Sequence, residues 1–277
     1  MLDSWKVLKE WPELILDRLE DAGVARITLN RPEKRNCWNE PMTRAFFASL
    51  EIVRADRELK TVITRGAGAA FSSGLDLDYL RESNRAIHDF DQPSLTVKLA
   101  ETLRGFPRIM IAQLHGYCLG GAFGIMNCHD LVIGAEDVQI GMPEIMRGSF
   151  GQLVTSTLLH SGLAIKKHAW IQLTGYNVSG KEADQLGIIS KSVPAAELEE
   201  FTIRIAREIA SRHLAPLEHS KIAVQMGRDL TVSQAIQLDG LVGQRMRRTM
   251  DPLDDVENYL KSQKGGPNVL YKREDTE

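Results

Sequence analysis

Two loops in this chain collect residues that could hold an oxygen gaining negative charge: Ala70-Phe-Ser-Ser-Gly-Leu-Asp-Leu77 and His115-Gly-Tyr-Cys-Leu-Gly-Gly121. Each follows an apolar stretch, and each is rich in small residues. Glycine, lacking a Cβ, lets a backbone N–H approach a ligand closely. A helix that opens directly after such a loop adds free N–H groups and the positive end of its dipole. Two N–H groups from different loops, aimed at one point, would stabilise a carbonyl oxygen as it becomes an oxyanion. Losing one such donor costs about 10²–10³ in rate where it has been measured. The commoner use of such glycines is tight turning and close strand–helix packing, and the pattern alone leaves both uses open.

Other chemistries fit less well. Gly116-x-x-x-Gly120-Gly121 is not the G-x-G-x-x-G of a dinucleotide site, and neither loop ends in the Gly-Lys-Ser/Thr of a phosphate loop. A serine nucleophile would want a G-x-S-x-G elbow, which is absent. The cysteines show no metal spacing, and no His/Asp/Glu cluster suggests zinc or iron. His129 and Asp130 are adjacent, and neighbours on a helix do not face each other, so His129 reads as a packing or helix-end residue. His115 reads as a loop hydrogen-bonder. Glu144, after Met142-Pro143, has the ordinary reading of a loop carboxylate, exposed or capping the next helix. Arg147 points either to solvent or to a carboxylate on a substrate.

The elements that would hold these groups follow from periodicity. Val24-Ala-Arg-Ile-Thr-Leu29 alternates apolar and polar residues and stops at Asn30-Arg31-Pro32, which predicts a strand and then a loop. Met42, Ala45, Phe46, Leu50 and Val53 recur at helical spacing. Residues 59–64 and 108–114 predict further strands, and the all-apolar stretch after Gly121 (Phe123, Ile125, Met126) predicts a buried helix. Residues 131–133 and 138–140 are shorter strand pieces. From about Leu153 the pattern turns helical and stays so, with Phe201, Ile205 and Ile209 four apart and a helix-to-strand turn at Gly187. Residues 82–93 are polar and irregular, and the tail after Lys264 is expected to be loosely ordered. Strand–helix–strand units followed by helices imply an α/β core, residues 1–199, and a helical C-terminal part, residues 200–277.

Composition bounds the rest. The chain has 277 residues, with 34 basic against 37 acidic side chains and a net charge of −3, which argues against a nucleic-acid surface. Apolar residues make up 43% and charged ones 26%, ordinary globular usage that excludes wholesale disorder. No apolar run approaches the ~18 residues of a membrane span, and the start carries no apolar secretory core. Cys37, Cys118 and Cys128 are an odd number in a large chain. They fit a reducing cytoplasm rather than a disulfide framework.

The motifs, taken together, carry a resemblance. Asn30-Arg-Pro-Glu-Lys-Arg-Asn36, the two glycine loops, Asp130, Met142-Pro-Glu144, Leu173-Thr-Gly175, Ala183, Gly187 and Val193 follow in the order seen in the crotonase (enoyl-CoA hydratase/isomerase) superfamily. The similarity spans about residues 12–262. It implies a spiral core of β-β-α units, a helical trimerisation region and an acyl-CoA thioester substrate. CoA would be part of the substrate, and no separate cofactor or metal is implied. The family's oxyanion donors fall on the N–H groups of Leu75 and Gly121, and its main acid/base on Glu144. Lys34 falls where the family holds the CoA nucleotide. Ser73, Gly74, Asp76, Leu77, Gly120, Gly124 and Gly151 fall along the substrate cleft.

One position departs from the pattern. Typical hydratases of the family have a second glutamate where this chain has Gly124, so a two-glutamate hydration mechanism is in doubt. Single-glutamate relatives include enoyl-CoA isomerases and hydroxycinnamoyl-CoA hydratase-lyases. The lyases share the Arg31-Pro-Glu-Lys-Arg-Asn36 run and a Tyr271-Lys-Arg273 tail, yet they use a tyrosine of the C-terminal helix, and residues 231–250 contain none. Three readings follow: a hydratase/isomerase, an aromatic enoyl-CoA hydratase-lyase, or an acyl-CoA binder that has lost turnover. The apolar surplus between 200 and 262 (among others Ile203, Ile209, Val224, Ile236 and Leu241) joins the resemblance in implying a homotrimer or a dimer of trimers.

Overall fold

The computed structural model describes residues 4–79, 81 and 95–249. The irregular stretch expected at 82–93 and the tail after Lys264 lie outside the described residues. A seven-stranded sheet has the order β1-β2-β3-β4-β5-β7-β10. Strands β1 (Trp5–Trp11), β2 (Leu14–Leu19) and β3 (Val24–Leu29) are antiparallel neighbours. From β3 the sheet runs parallel through β4 (Thr61–Gly66), β5 (Ile109–Leu114), β7 (Leu131–Ala135) and β10 (Lys191–Val193). A second sheet joins β6 (Tyr117–Leu119), β8 (Gln139–Gly141) and β9 (Val178–Ser179). This is the mixed α/β architecture, dominated by parallel pairing, that the sequence implies.

Helix α1 (Glu40–Ala55) begins where Asn39 accepts a bond from the Met42 N–H at 3.0 Å, satisfying one of the free first-turn donors. Its apolar stripe (Met42, Ala45, Phe46, Leu50, Val53) is buried. Helix α2 (Leu95–Gly105) precedes β5, and the short helix α3 (Gly121–Met126) follows β6 with nearly every side chain buried. Helices α4 (Gln152–Leu159), α5 (Ile165–Thr174) and α6 (Gly180–Gln185) lead into β10. The helical pattern expected after Leu153 is thus broken by β9, while β10 is the strand expected after the turn at Gly187. Both are too short to show a period of two, and Val193 alone of β10 is buried.

The alternation in β3 predicts one wet face, yet all six residues are buried. Arg26 makes a bidentate pair with Asp17 of β2 at 2.6 and 3.0 Å, and its guanidinium lies 3.7 Å from the Trp5 ring centroid. Helix α7 (Leu198–Ala210) contributes Glu199, 2.9 Å from Arg65 of β4, and buries Leu198, Ile203, Ala206 and Ile209 in the core. Polar side chains on that face are thus covered and paired rather than solvated.

The chain divides into two units, Met1–Glu218 and His219–Glu277. Helix α7, expected to open the C-terminal helical region, belongs to the first. In the second unit, helix α9 (Val232–Arg247) starts at a reciprocal cap between Thr231 and Gln234, and none of its side chains is buried. Val224 and Met226 at the end of α8 (Leu214–Gly227) are also exposed, as are Val232, Ile236 and Leu241 of α9. Among the described residues no helix is long and apolar enough to cross a membrane.

Candidate active site

The two glycine loops meet. Ser72 and Cys118 form a parallel bridge, Ser72 N–H donating to Tyr117 O at 3.0 Å and Leu119 N–H to Ser72 O at 3.1 Å. A second bridge ties Trp38 to Leu75, with Trp38 N–H donating to Gly74 O and Asp76 N–H to Trp38 O, each at 2.8 Å. In such a bridge the flanking residues bond to the partner, so the N–H of Leu75 itself faces the other way. It donates to none of the described residues. The N–H of Gly121 is likewise unengaged, because it is the first residue of α3 and a helix start has no intrahelical acceptor for it. The two positions are adjacent: a Cβ placed on Gly121 would lie 2.9 Å from Leu75 Cγ, and one on Gly74 would lie 3.5 Å from Gly121 N.

Asn36 holds this corner. It is fully buried with φ 53°, a left-handed conformation that asparagine tolerates better than most residues. Its side-chain amide donates to Ala67 O and Ala70 O, both at 2.8 Å, while its Oδ1 accepts from Arg31 N–H at 2.9 Å. Ser72 Oγ then donates to Asn36 O and accepts from Gly74 N–H. Asn36 stands in the motif that carries the resemblance, but its positioning role could only have been guessed from its place between a turn and a glycine loop.

Glu144 lies in the 3₁₀ turn Pro143–Arg147, which follows β8. Gly120 N–H donates to Gly141 O at 2.9 Å, so the turn carrying the glutamate is hung beside the start of α3. Gly120 has φ 56°, a conformation that favours glycine, and a Cβ there would sit 2.8 Å from Glu144 Oε1 and displace that carboxylate. Glu144 Oε2 is buried and has no hydrogen-bond partner among the described residues. Burial raises the carboxyl above the ordinary glutamate range, offset in part by its own backbone N–H and by the charge of Arg147. Arg147 is exposed.

The remaining sequence-selected positions divide. Lys34 is exposed at the end of the 3₁₀ turn Pro32–Lys34 and pairs with Asp78 at 3.5 Å. Ser73 N–H donates to Arg35 O at 2.9 Å, and Leu77 is exposed. Asp76 turns its carboxylate inward, accepting from Arg31 at 3.0 Å and from Asp78 N–H at 3.0 Å. Burial would raise that carboxyl, but the Arg31 bond and the Asp78 N–H outweigh it and hold it below the usual range. A Cβ on Gly151, just before α4, would lie 3.6 Å from Glu144 Cδ. One on Gly124 would lie 2.8 Å from Leu153 Cγ. Leu153, the first apolar residue of α4, marks the start of a helical pattern in the sequence, and nothing local ties it to Gly124.

The histidines behave as expected. His129 is buried between Ile125 O (3.1 Å) and Thr64 Oγ1 (3.0 Å), and His115 Nε2 donates to Gly68 O at 2.9 Å. The three cysteines are buried thiols outside any disulfide, and burial pushes the Cys118 thiol far up, away from thiolate chemistry. Among the described residues no group of three His, Cys, Asp or Glu side chains is arranged to hold a metal.

The model of the enoyl-CoA hydratase/isomerase family matches residues 20–260. The chain belongs to that family of enzymes. It is 30% identical over 235 residues to a hydroxycinnamoyl-CoA hydratase-lyase of Pseudomonas fluorescens, covering 83% of this chain and 82% of the relative. It is 26% identical to a 2,3-dehydroadipyl-CoA hydratase of Escherichia coli, covering 90% and 96% of the two chains. The solved structure of an enoyl-CoA hydratase from Bacillus anthracis superposes with a TM-score of 0.81 at 23% identity, covering 90% of this chain and 96% of the other. That likeness is one of fold. The crotonase resemblance read from the motifs is therefore shown, and an acyl-CoA substrate is consistent with the family.

Proposed function

We propose that this enzyme moves a proton on the carbon skeleton of an enoyl-CoA thioester, with Glu144 as the proton carrier and the N–H groups of Leu75 and Gly121 holding the thioester oxygen. The observation that supports this best is the convergence around Gly120: two unengaged N–H groups from separate loops beside a half-buried carboxyl with an unpartnered oxygen. Charge developing on the carbonyl oxygen as a neighbouring C–H ionises would meet two fixed donors, which reorganise little during the reaction. A carboxyl raised by burial is a stronger base once ionised, and a shift towards the working pH suits a group that must both take and return a proton.

For a 3-enoyl-CoA the steps balance without a further reactant. Glu144 takes a proton from C2, the electrons spread to a dienolate whose oxygen the two N–H groups hold, and the same carboxyl returns the proton to C4. The double bond moves from C3=C4 to C2=C3. CoA arrives and leaves as part of the substrate, and in this reading Lys34 meets its nucleotide part and the 73–77 loop with Gly120, Gly124 and Gly151 lines the thioester arm. No separate cofactor is needed for this chemistry. Water addition to a 2-enoyl-CoA is the neighbouring reaction of the same site. A second reading, hydration and cleavage of an aromatic enoyl-CoA, has the 30% identical Pseudomonas relative in its favour.

The test is an incubation with straight-chain 2-enoyl-, 3-enoyl- and aromatic enoyl-CoAs in D₂O, read by mass and by the absorbance of the conjugated thioester. Glu144→Gln is expected to lower turnover on every accepted substrate by at least about 10². Full turnover in that variant would overturn the assignment of the base. Tight binding of the whole panel without any reaction would favour a non-catalytic acyl-CoA binder.

A further inference from the structure

We infer that Leu153 is the residue that decides between proton transfer and water addition in this enzyme, by filling the space beside Glu144 with hydrocarbon; the inference rests on the proposed role of Glu144. The argument starts from α3. Gly120 caps the start of α3, and Gly124 lies about one helical turn further on. Neither has a side chain, and in each case the vacant Cβ position is taken up by another element. Beside Gly120 it is the Glu144 carboxylate, 2.8 Å from the Cβ position. Beside Gly124 it is Leu153, whose Cγ, Cδ2 and Cβ lie 2.8, 3.1 and 3.2 Å away. Gly151, two residues before Leu153, brings the start of α4 against the same carboxylate, 3.6 Å from Glu144 Cδ. The carboxyl and the leucine therefore occupy successive vacant positions, at Gly120 and Gly124, along one strip at the start of α3.

The chemical consequence follows from what each reaction needs. Adding water across C2=C3 requires a water held and polarised at C3 while a proton goes to C2, and a water is held only where two or more polar groups converge. Along this strip the position one turn on from Gly120 is filled by the isobutyl side chain of Leu153, and Gly124 supplies no polar side-chain atom. Moving a proton from C2 to C4 requires only one carboxyl that reaches both carbons and an environment that keeps water from the dienolate. Leu153 supplies the second condition.

The experiment measures partition rather than rate. Purified enzyme is given a straight-chain 3-enoyl-CoA and its 2-enoyl isomer, isomerisation is read by conjugated-thioester absorbance, and hydration by the gain of one water in mass. The wild type is expected to isomerise in large excess over hydration. Leu153→Ala, which opens the strip, is expected to raise the hydration-to-isomerisation ratio about tenfold or more, and Leu153→Asn further still, while Leu153→Met keeps the wild-type ratio. An unchanged ratio in folded Leu153→Ala and Leu153→Asn overturns the inference and leaves Glu144 as the base. A wild type that hydrates as fast as it isomerises also overturns it. Loss of neither reaction in Glu144→Gln is a different failure, that of the proton-carrier assignment itself. Should Leu153→Ala not fold, Leu153→Val gives the same test with a smaller expected rise in ratio.

Discussion

A carboxylate that works as a base must be ionised when substrate arrives, and at Glu144 burial opposes this. The raised carboxyl predicts that kcat/KM climbs with pH on an acid limb above the ordinary glutamate range. Arg147 partly offsets the burial, so Arg147→Gln is expected to move that limb further up, by a small amount because the guanidinium is exposed and screened by salt. A pH–rate profile at low and high salt checks both statements; a limb unmoved by the substitution at low salt would remove Arg147 from the account. Stability carries the matching sign. The folded chain binds the Glu144 proton more tightly than the unfolded one, so the contribution is present below the unfolded carboxyl value and is lost as pH rises through the folded one. Glu144→Gln should flatten that part of the stability–pH curve in denaturant titrations.

The start of α3 is where backbone conformation and chemistry constrain the same residue. Gly120→Ala adds a Cβ at φ 56° and 2.8 Å from Glu144 Oε1. The strain is of order 1–3 kcal/mol, and a displaced carboxylate should cost about 10² in kcat, with circular dichroism unchanged. Elsewhere, Asp17→Ala leaves the buried Arg26 without its bidentate partner and should cost about 3–5 kcal/mol in urea unfolding. Sequence patterning reached most of these elements. Strand β5 is a short apolar run and helix α1 has a clean helical period, so their type was legible. The β1–β2 hairpin was not, because β1 is half wet and places its two tryptophans and a run of charges without clean alternation. At the site, the glycine loops and Glu144 were legible from residue type and order. Leu153 and the clamp at Asn36 were not, since both act through contacts between segments far apart in the chain.

At the scale of the molecule, the second unit keeps Val224, Met226, Val232, Ile236 and Leu241 exposed. Each would gain roughly 1.5–3 kcal/mol on full burial, which supports the proposed trimer or dimer of trimers. By contrast Ile203 and Ile209, counted in the same apolar surplus, are spent inside the first unit's core. Sedimentation at micromolar concentration should show an oligomer, and the double variant Val224→Glu/Ile236→Glu should sediment as a lighter species. A wild-type monomer would refute the assembly.

The parallel sheet also sets a timetable. Chains emerge at about 5–20 residues per second, and every residue of the candidate site, through Leu153, is made before β10 and α7. Until Lys191–Val193 arrives to pair with β7, that strand is an edge of the sheet with unpaired N–H and C=O groups. A nascent chain paused in this interval holds all of its chemistry and an open seam that another copy can zip onto. Substitutions that slow the docking of β10 should therefore lower soluble yield during synthesis while leaving the activity of the molecules that do mature unaltered.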